Sequence, residues 1–199
     1  MKRFLLILIV AVVPASAQWR HFGRPLTQPT GYFGVGFSEP VNPLGNRLDT
    51  GWNIAGGVGV TRPYVGLMFD VMFTDFGINN TNLALLGARR GSQRYLALTV
   101  DPVFHVNDRG PVDFYVTGGG GLYGQITHLR TKFVGPQNNT FDLISSDSVY
   151  RPGVNGGGGF AFNLDERSRT KFFVEARYHH MFLEGKGTDF IPVTFGVRF

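Results

Sequence analysis

The chain has 199 residues, no cysteine and a formal charge of +5. Without cysteine there is no disulfide staple, thiolate metal site or cysteine nucleophile. So mild a positive balance, with no dense basic run, argues against nucleic acid as a partner.

Lys2 and Arg3 precede an apolar stretch from Phe4 to Val13. Pro14 interrupts it, and Ala15-Ser16-Ala17 supplies a small-x-small pattern before Gln18. This reads as a signal peptide over residues 1–17. Ten apolar residues are too few to cross a ~30 Å hydrocarbon core, which takes roughly 20. Loss of Lys2 and Arg3 would lower the formal charge from +5 to +3. Residues 18–29 are expected to form a short periplasmic segment, and residues 30–199 the folded domain. Glycine, 28 of 199 residues, is about twice the usual ~7%. It accompanies 14% aromatic residues, a composition suited to curved β structure.

Eight segments then alternate apolar and small or polar residues, the period-2 signature of strands. The first, about Tyr32 to Phe37, carries Phe33, Val35 and Phe37 on one face. The second, Trp52 to Val60, carries Trp52, Ile54, Val58 and Val60. In the third, Val65, Leu67, Phe69, Val71 and Phe73 oppose Gly66, Met68, Asp70, Met72 and Thr74. In the fourth, Leu96, Leu98, Val100, Pro102 and Phe104 oppose Tyr95, Ala97, Thr99, Asp101 and Val103. The fifth and sixth, Val112 to Thr127 and Pro152 to Leu164, are glycine-rich and carry Phe114, Val116, Leu122, Val154, Phe160 and Phe162. The seventh sets Phe172, Val174, Ala176, Tyr178, His180 and Phe182 against Phe173, Glu175, Arg177, His179 and Met181. The last sets Ile191, Val193, Phe195, Val197 and Phe199 against Pro192, Thr194, Gly196 and Arg198.

The second face is mostly Gly, Ala, Thr, Asn and Tyr, with a few charges in mid-strand. Small side chains suit the narrow interior of an eight-stranded barrel, and the aliphatic and aromatic face suits lipid. The expectation is therefore an all-β, eight-stranded, antiparallel up-and-down transmembrane β-barrel. A soluble sandwich or lipocalin-like barrel is the alternative. Connections at Thr61–Pro63, Asn107–Pro111 and Asp165–Thr170 are short, whereas Ser38–Asp49, Gly77–Ser92 and His128–Arg151 are long and Glu184–Asp189 is intermediate. Short periplasmic turns alternating with longer external loops are the asymmetry of outer-membrane barrels. An even strand number also puts both termini at the periplasmic rim.

The terminal Thr194–Phe199 (TFGVRF) and the run Phe173–Tyr178 (FVEARY) resemble the small OmpA/OmpX-like outer-membrane barrels over Tyr32 to Phe199. The resemblance implies a bacterial outer-membrane location. It also implies that Phe195, Val197 and Phe199 form a C-terminal assembly signal for the insertion machinery. It implies no activity, since the fold hosts several.

Inward charges Asp70, Asp101, Glu175, Arg177 and Arg198 are expected to form a lumen network centred on Arg177, because a charge in so narrow a space must be paired. A polar plug is the first reading; a narrow gated ion or solute channel is the second. His179 and His180 should point oppositely, so they are poor joint metal ligands, and no metal or cofactor is expected. Some barrels of the resembled kind modify lipid with a His and a Ser near the external rim. That makes His180 a candidate for a lipid A-modifying enzyme, although no serine follows on its strand. Gly119-x-Gly121-x-x-Gly124 matches a dinucleotide fingerprint formally, but it lacks the following helix. Arg89, Arg90, Arg94, Arg130 and Lys132 are candidates for lipopolysaccharide contact. Trp52, Tyr64, Tyr95, Tyr123 and Tyr150 are candidates for interface girdles. The leading expectation is a non-catalytic barrel with a structural and surface-contact role.

Overall fold

A computed structural model describes residues 27–41, 43–85, 88, 90–106, 111–134, 140–163, 170–183 and 187–199, with backbone alone over 131–134 and 140–144. The signal segment, residues 18–26 and Arg89 lie outside the described residues, as does the side chain of Lys132.

Eight strands form: β1 Gln28–Pro40, β2 Gly51–Thr61, β3 Val65–Gly77, β4 Arg90–His105, β5 Val112–Val134, β6 Thr140–Asn163, β7 Lys171–Met181 and β8 Thr188–Arg198. Each pairs antiparallel with its sequence neighbour, and β8 returns to β1, closing the barrel. The closing ladder runs from Tyr32↔Arg198 to Pro40↔Phe190. Phe199 finishes it: its N–H donates to the Gly31 carbonyl and its carbonyl accepts from the Gly31 N–H, both at 2.9 Å. Closure matters because a sheet edge in hydrocarbon would leave polar backbone groups without partners.

The alternation sorts the side chains as the sequence predicts. Phe33, Leu67, Phe69, Val100, Phe104, Phe160 and Phe195 are exposed on the outer wall, whereas Met68, Met72, Ala97, Val103 and Phe173 are buried inside. The outward row from Leu96 to Phe104 covers about 27 Å of strand at ~3.4 Å per residue. At a tilt of about 40° that is roughly 20 Å of height, comparable with the ~25 Å apolar band of such barrels.

Three features differ from the sequence expectation. Gln28 and Pro29 belong to β1, paired with Thr61 and Val60, so the barrel starts before residue 30. Residues 128–134 and 140–151, expected within an open loop, are strand. β5 and β6 stay in register from Gly124↔Tyr150 to Val134↔Thr140, forming a paired ribbon that outruns its neighbours. β4 stops pairing at Arg90↔Arg130 and β7 at Gly153↔Met181. The ribbon's many charged and polar residues read as a loop, although Leu129, Phe133, Phe141 and Leu143 keep a partial two-residue alternation. Finally, Tyr95 and Tyr123 are buried in the lumen, on the inward parity of their strands, so they form no girdle. Trp52 and Tyr150 are exposed on the outer wall, and Tyr64 is exposed in the short β2–β3 connection.

The glycines make room for this interior. A Cβ at Gly119 would overlap the Val100 carbonyl and Asp101 Oδ1, and one at Gly57 would overlap Asp70 Oδ1. At Gly156, on the outer face, nothing lies within 4 Å of such a carbon. Gly119→Val is expected to destabilise the barrel by ~1–3 kcal/mol through overpacking, and Gly156→Ala to change little. Urea unfolding in lipid vesicles, followed by tryptophan fluorescence, measures both.

Candidate functional site

The inward positions of β3, β4 and β7 bring their charges to one level. Arg177 Nη1 donates to Asp70 Oδ2 at 2.7 Å and to Asp101 Oδ2 at 2.8 Å, and Arg177 Nε donates to Glu175 Oε1 at 2.6 Å. Asp101 also accepts from Thr99 Oγ1 at 2.7 Å and from Asn155 Nδ2 at 2.8 Å. Asp70, Asp101, Glu175 and Arg177 are all buried. The planar guanidinium can serve several carboxylates because its donors fan out in one plane. The network expected around Arg177 therefore forms, and all three acids accept from it.

Arg198 faces the lumen as expected but joins a different tier. Its guanidinium carbon lies 4.4 Å from the Tyr115 ring centroid, 5.5 Å from that of Phe173 and 5.9 Å from that of Tyr32. These rings cradle it by cation–π attraction. At the short-turn end Asp113 accepts from Lys171 Nζ at 3.5 Å and meets His105 Nδ1 at 2.8 Å. This cluster escaped the sequence reading, although Asp113 has inward parity between Val112 and Phe114.

Above the charged level the lumen fills with rings. Phe76, Tyr95, Phe190 and His179 are buried together. His179 stacks on Phe190 at 5.2 Å and 12°, and Phe76 and Tyr95 approach Phe190 at 5.8 and 5.2 Å. Tyr123 Oη bonds His179 Nδ1 at 2.9 Å. Phe76 and Phe190 extend inward rows whose ends the alternation did not reach. Between the rings and the charges is a cavity of about 20 Å³, lined by Asp70, Glu175, Arg177, His179 and others. That is room for about one water, which needs ~10–15 Å³ on this measure.

On the outer wall, His180 Nδ1 meets Asp189 Oδ1. Such a pair could orient a general base, but among the described residues no serine joins it. Val154 is the cross-strand partner of His180, and Ser148 lies further up β6 opposite Ile126, about 20 Å along the strand at ~3.3 Å per residue. Ser145 and Ser146 are more distant still. The arrangement lacks the nucleophile that a lipid hydrolase of the expected kind would use.

The basic candidates divide. Arg94 Nε is paired with Asp75 Oδ2 at 3.0 Å. Arg90 and Arg130 are exposed and directly opposite each other. Phe195 and Val197 face outward, and Phe199 closes the seam.

A closed eight-stranded barrel with a greasy exterior and a polar, filled lumen defines a small transmembrane β-barrel of the outer-membrane type. It has the OmpA/OmpX-like architecture. The fold is similar to Neisserial surface protein A (NspA), at a TM-score of 0.56 and 11% identity over 86% of this chain and 97% of that one. OprG from Pseudomonas aeruginosa aligns at a TM-score of 0.49 and 13% identity, covering 85% and 95% of the two chains. Ail of Yersinia pestis aligns at 0.49 and 17%, covering 86% and 99%. No family model matches the chain, and no curated protein matches it in sequence.

Removing the central cation should be costly. Arg177→Met strands three buried carboxylates and is expected to destabilise the barrel by ~3–5 kcal/mol. Asp70→Asn should cost less, since two acids still hold the guanidinium. Paired urea titrations in vesicles give the difference.

Proposed function

We propose that this protein is a non-catalytic, non-conducting barrel of the bacterial outer membrane, serving as a rigid base for a surface-contact ribbon. In this reading the N- and C-termini face the periplasm and the β5–β6 ribbon rises outside the cell. The end of β8, with Phe195, Val197 and Phe199, is what the insertion machinery engages.

The observation that carries the reading is the contrast between the two ends of the molecule. Among the described residues the lumen is filled tier by tier, and the cavity between the charged and aromatic tiers is of about 20 Å³, which supports a plug over a channel. Among the described residues, β6 over 145–150 is paired with β5 on one side and has no β7 ladder partner on the other. Ser145, Ser146, Asp147, Ser148 and Tyr150 are exposed there. An unpaired strand edge on a rigid support offers backbone donors and acceptors to a partner, and polar side chains keep it soluble. The connections after β1 and β3 brace the same rim: Leu48 bridges Ile78, and Asn79 and Asn82 donate to the Asn46 carbonyl at 2.9 and 3.0 Å.

Purified protein in planar bilayers should show no discrete conductance steps; reproducible single-channel steps would replace this reading with the gated channel. Replacing residues 131–144 by a short Gly-Ser turn should leave heat-modifiable gel migration intact while reducing the adherence of expressing cells to protein-coated surfaces several-fold. Undiminished adherence would remove the ribbon's role.

A further inference from the structure

We propose that the outer wall at the tops of β4 and β5 is a binding site for a phosphorylated headgroup of an outer-leaflet lipid, clasped by Arg90 and Arg130 over Ser92 and His128. The proposal rests on the orientation given above, with the ribbon outside the cell.

The first observation is register. The β4–β5 ladder runs without a bulge from Val100↔Gly120 to Arg90↔Arg130. Arg90, Ser92 and Arg94 therefore continue the outward row of Leu96, Leu98 and Val100. On β5, Ile126, His128 and Arg130 continue the row of Leu122. Two positive side chains sit directly opposite each other on one face, with Ser92↔His128 the next pair down.

The second is electrostatic. Like charges directly opposite on adjacent strands are unfavourable. Arg94, one pair further down, has its charge answered by Asp75 at 3.0 Å. In the described structure Arg90 and Arg130 have no ion pair. An anion lying between them would turn their mutual repulsion into joint attraction. A phosphate accepts paired N–H donors from each guanidinium, while a serine hydroxyl and a histidine ring below supply further hydrogen bonds.

Shape and height are the third. Arg90, Ser92, His128 and Arg130 line an open concavity of about 340 Å³ together with Gly91 and Leu129. Further down the same wall Leu96 is exposed on β4 and Tyr150 on β6. From Leu96 to Arg90 is about 20 Å of strand at ~3.4 Å per residue, or roughly 15 Å of height at a tilt near 40°. A lipid whose chains lie against Leu96, Leu98 and Leu122 would raise its headgroup to this level. The neighbouring acyl surface favours a lipid over a free anion as the source of the phosphate.

The test uses full-length barrel in vesicles of phosphatidylcholine containing a small fraction of bisphosphorylated lipid A. Lipid retained after gentle detergent extraction is counted by native mass spectrometry. The Arg90→Gln/Arg130→Gln double variant should retain at least ten-fold less lipid A than wild type, with phosphatidylcholine retention and heat-modifiable migration unchanged. The single variants should fall between. Equal lipid A retention by wild type and the double variant would overturn the site. So would arginine-dependent binding of soluble inositol hexakisphosphate to detergent-held protein without arginine-dependent lipid A retention, since the site would then serve a free polyanion. Orientation is read separately with a Ser145→Cys variant and a membrane-impermeant maleimide on intact cells. Labelling supports the geometry; protection until the cells are broken would overturn both the orientation and this proposal. Labelling without arginine-dependent retention would overturn the lipid site alone.

Discussion

Closure of the sheet is the constraint on which everything else depends. In hydrocarbon no water is at hand for an unpaired N–H or carbonyl, so a spanning sheet must have no edge. Here the seam is β1 against β8, completed by reciprocal hydrogen bonds between Gly31 and Phe199. It is reinforced inside by Thr194 Oγ1, which donates to Asn53 Oδ1 at 3.0 Å, and by Asn53 Nδ2, which donates to Ser38 Oγ at 3.1 Å. With eight strands the enclosed space is only wide enough for side chains. Closure therefore creates the interior that the remaining residues must fill.

How it is filled follows from the cost of burying charge. One guanidinium meets three carboxylates at a single level, and polar neighbours such as Thr99 and Asn155 take up further acceptor capacity. The tiers on either side are aromatic, with Arg198 held against rings below and His179 stacked among rings above. Glycines such as Gly57 and Gly119 are what let side chains of this size fit. The abundance of glycine is thus a packing device: it trades wall volume for lumen volume.

The outer surface carries the opposite logic. Below the rim it is largely apolar wall, and above it the β5–β6 ribbon outruns its neighbouring strands, which in the proposed placement sets an open edge outside the bilayer. Water can satisfy that edge, so pairing there is optional where in the membrane it is obligatory. The same height separates Arg94, which is tied to Asp75, from Arg90 and Arg130, which have no ion pair in the described structure. Protein function of a contact kind is best sought at this boundary, where the rigid wall ends.

The linear chain determined the strand number, the side of the wall each residue occupies, and the identity of the Arg177 cluster. These follow from a strict two-residue period, which assigns Phe69 outward and Asp70 inward before any contact is known. It could not determine what each inward residue meets, because partners such as Asp70 and Arg177 lie 107 positions apart on strands that do not pair and meet only across the closed lumen. Tertiary structure alone decided that Arg198 joins rings while Asp70, Asp101 and Glu175 join Arg177. It alone showed that residues 128–134 and 140–151 form a ribbon, because the partial alternation of Leu129, Phe133, Phe141 and Leu143 with polar residues does not say which strand lies opposite. The pairing of Arg90 with Arg130 was hidden for the same reason: facing positions are a property of strand alignment, and neither arginine's immediate neighbours in the chain reveal it.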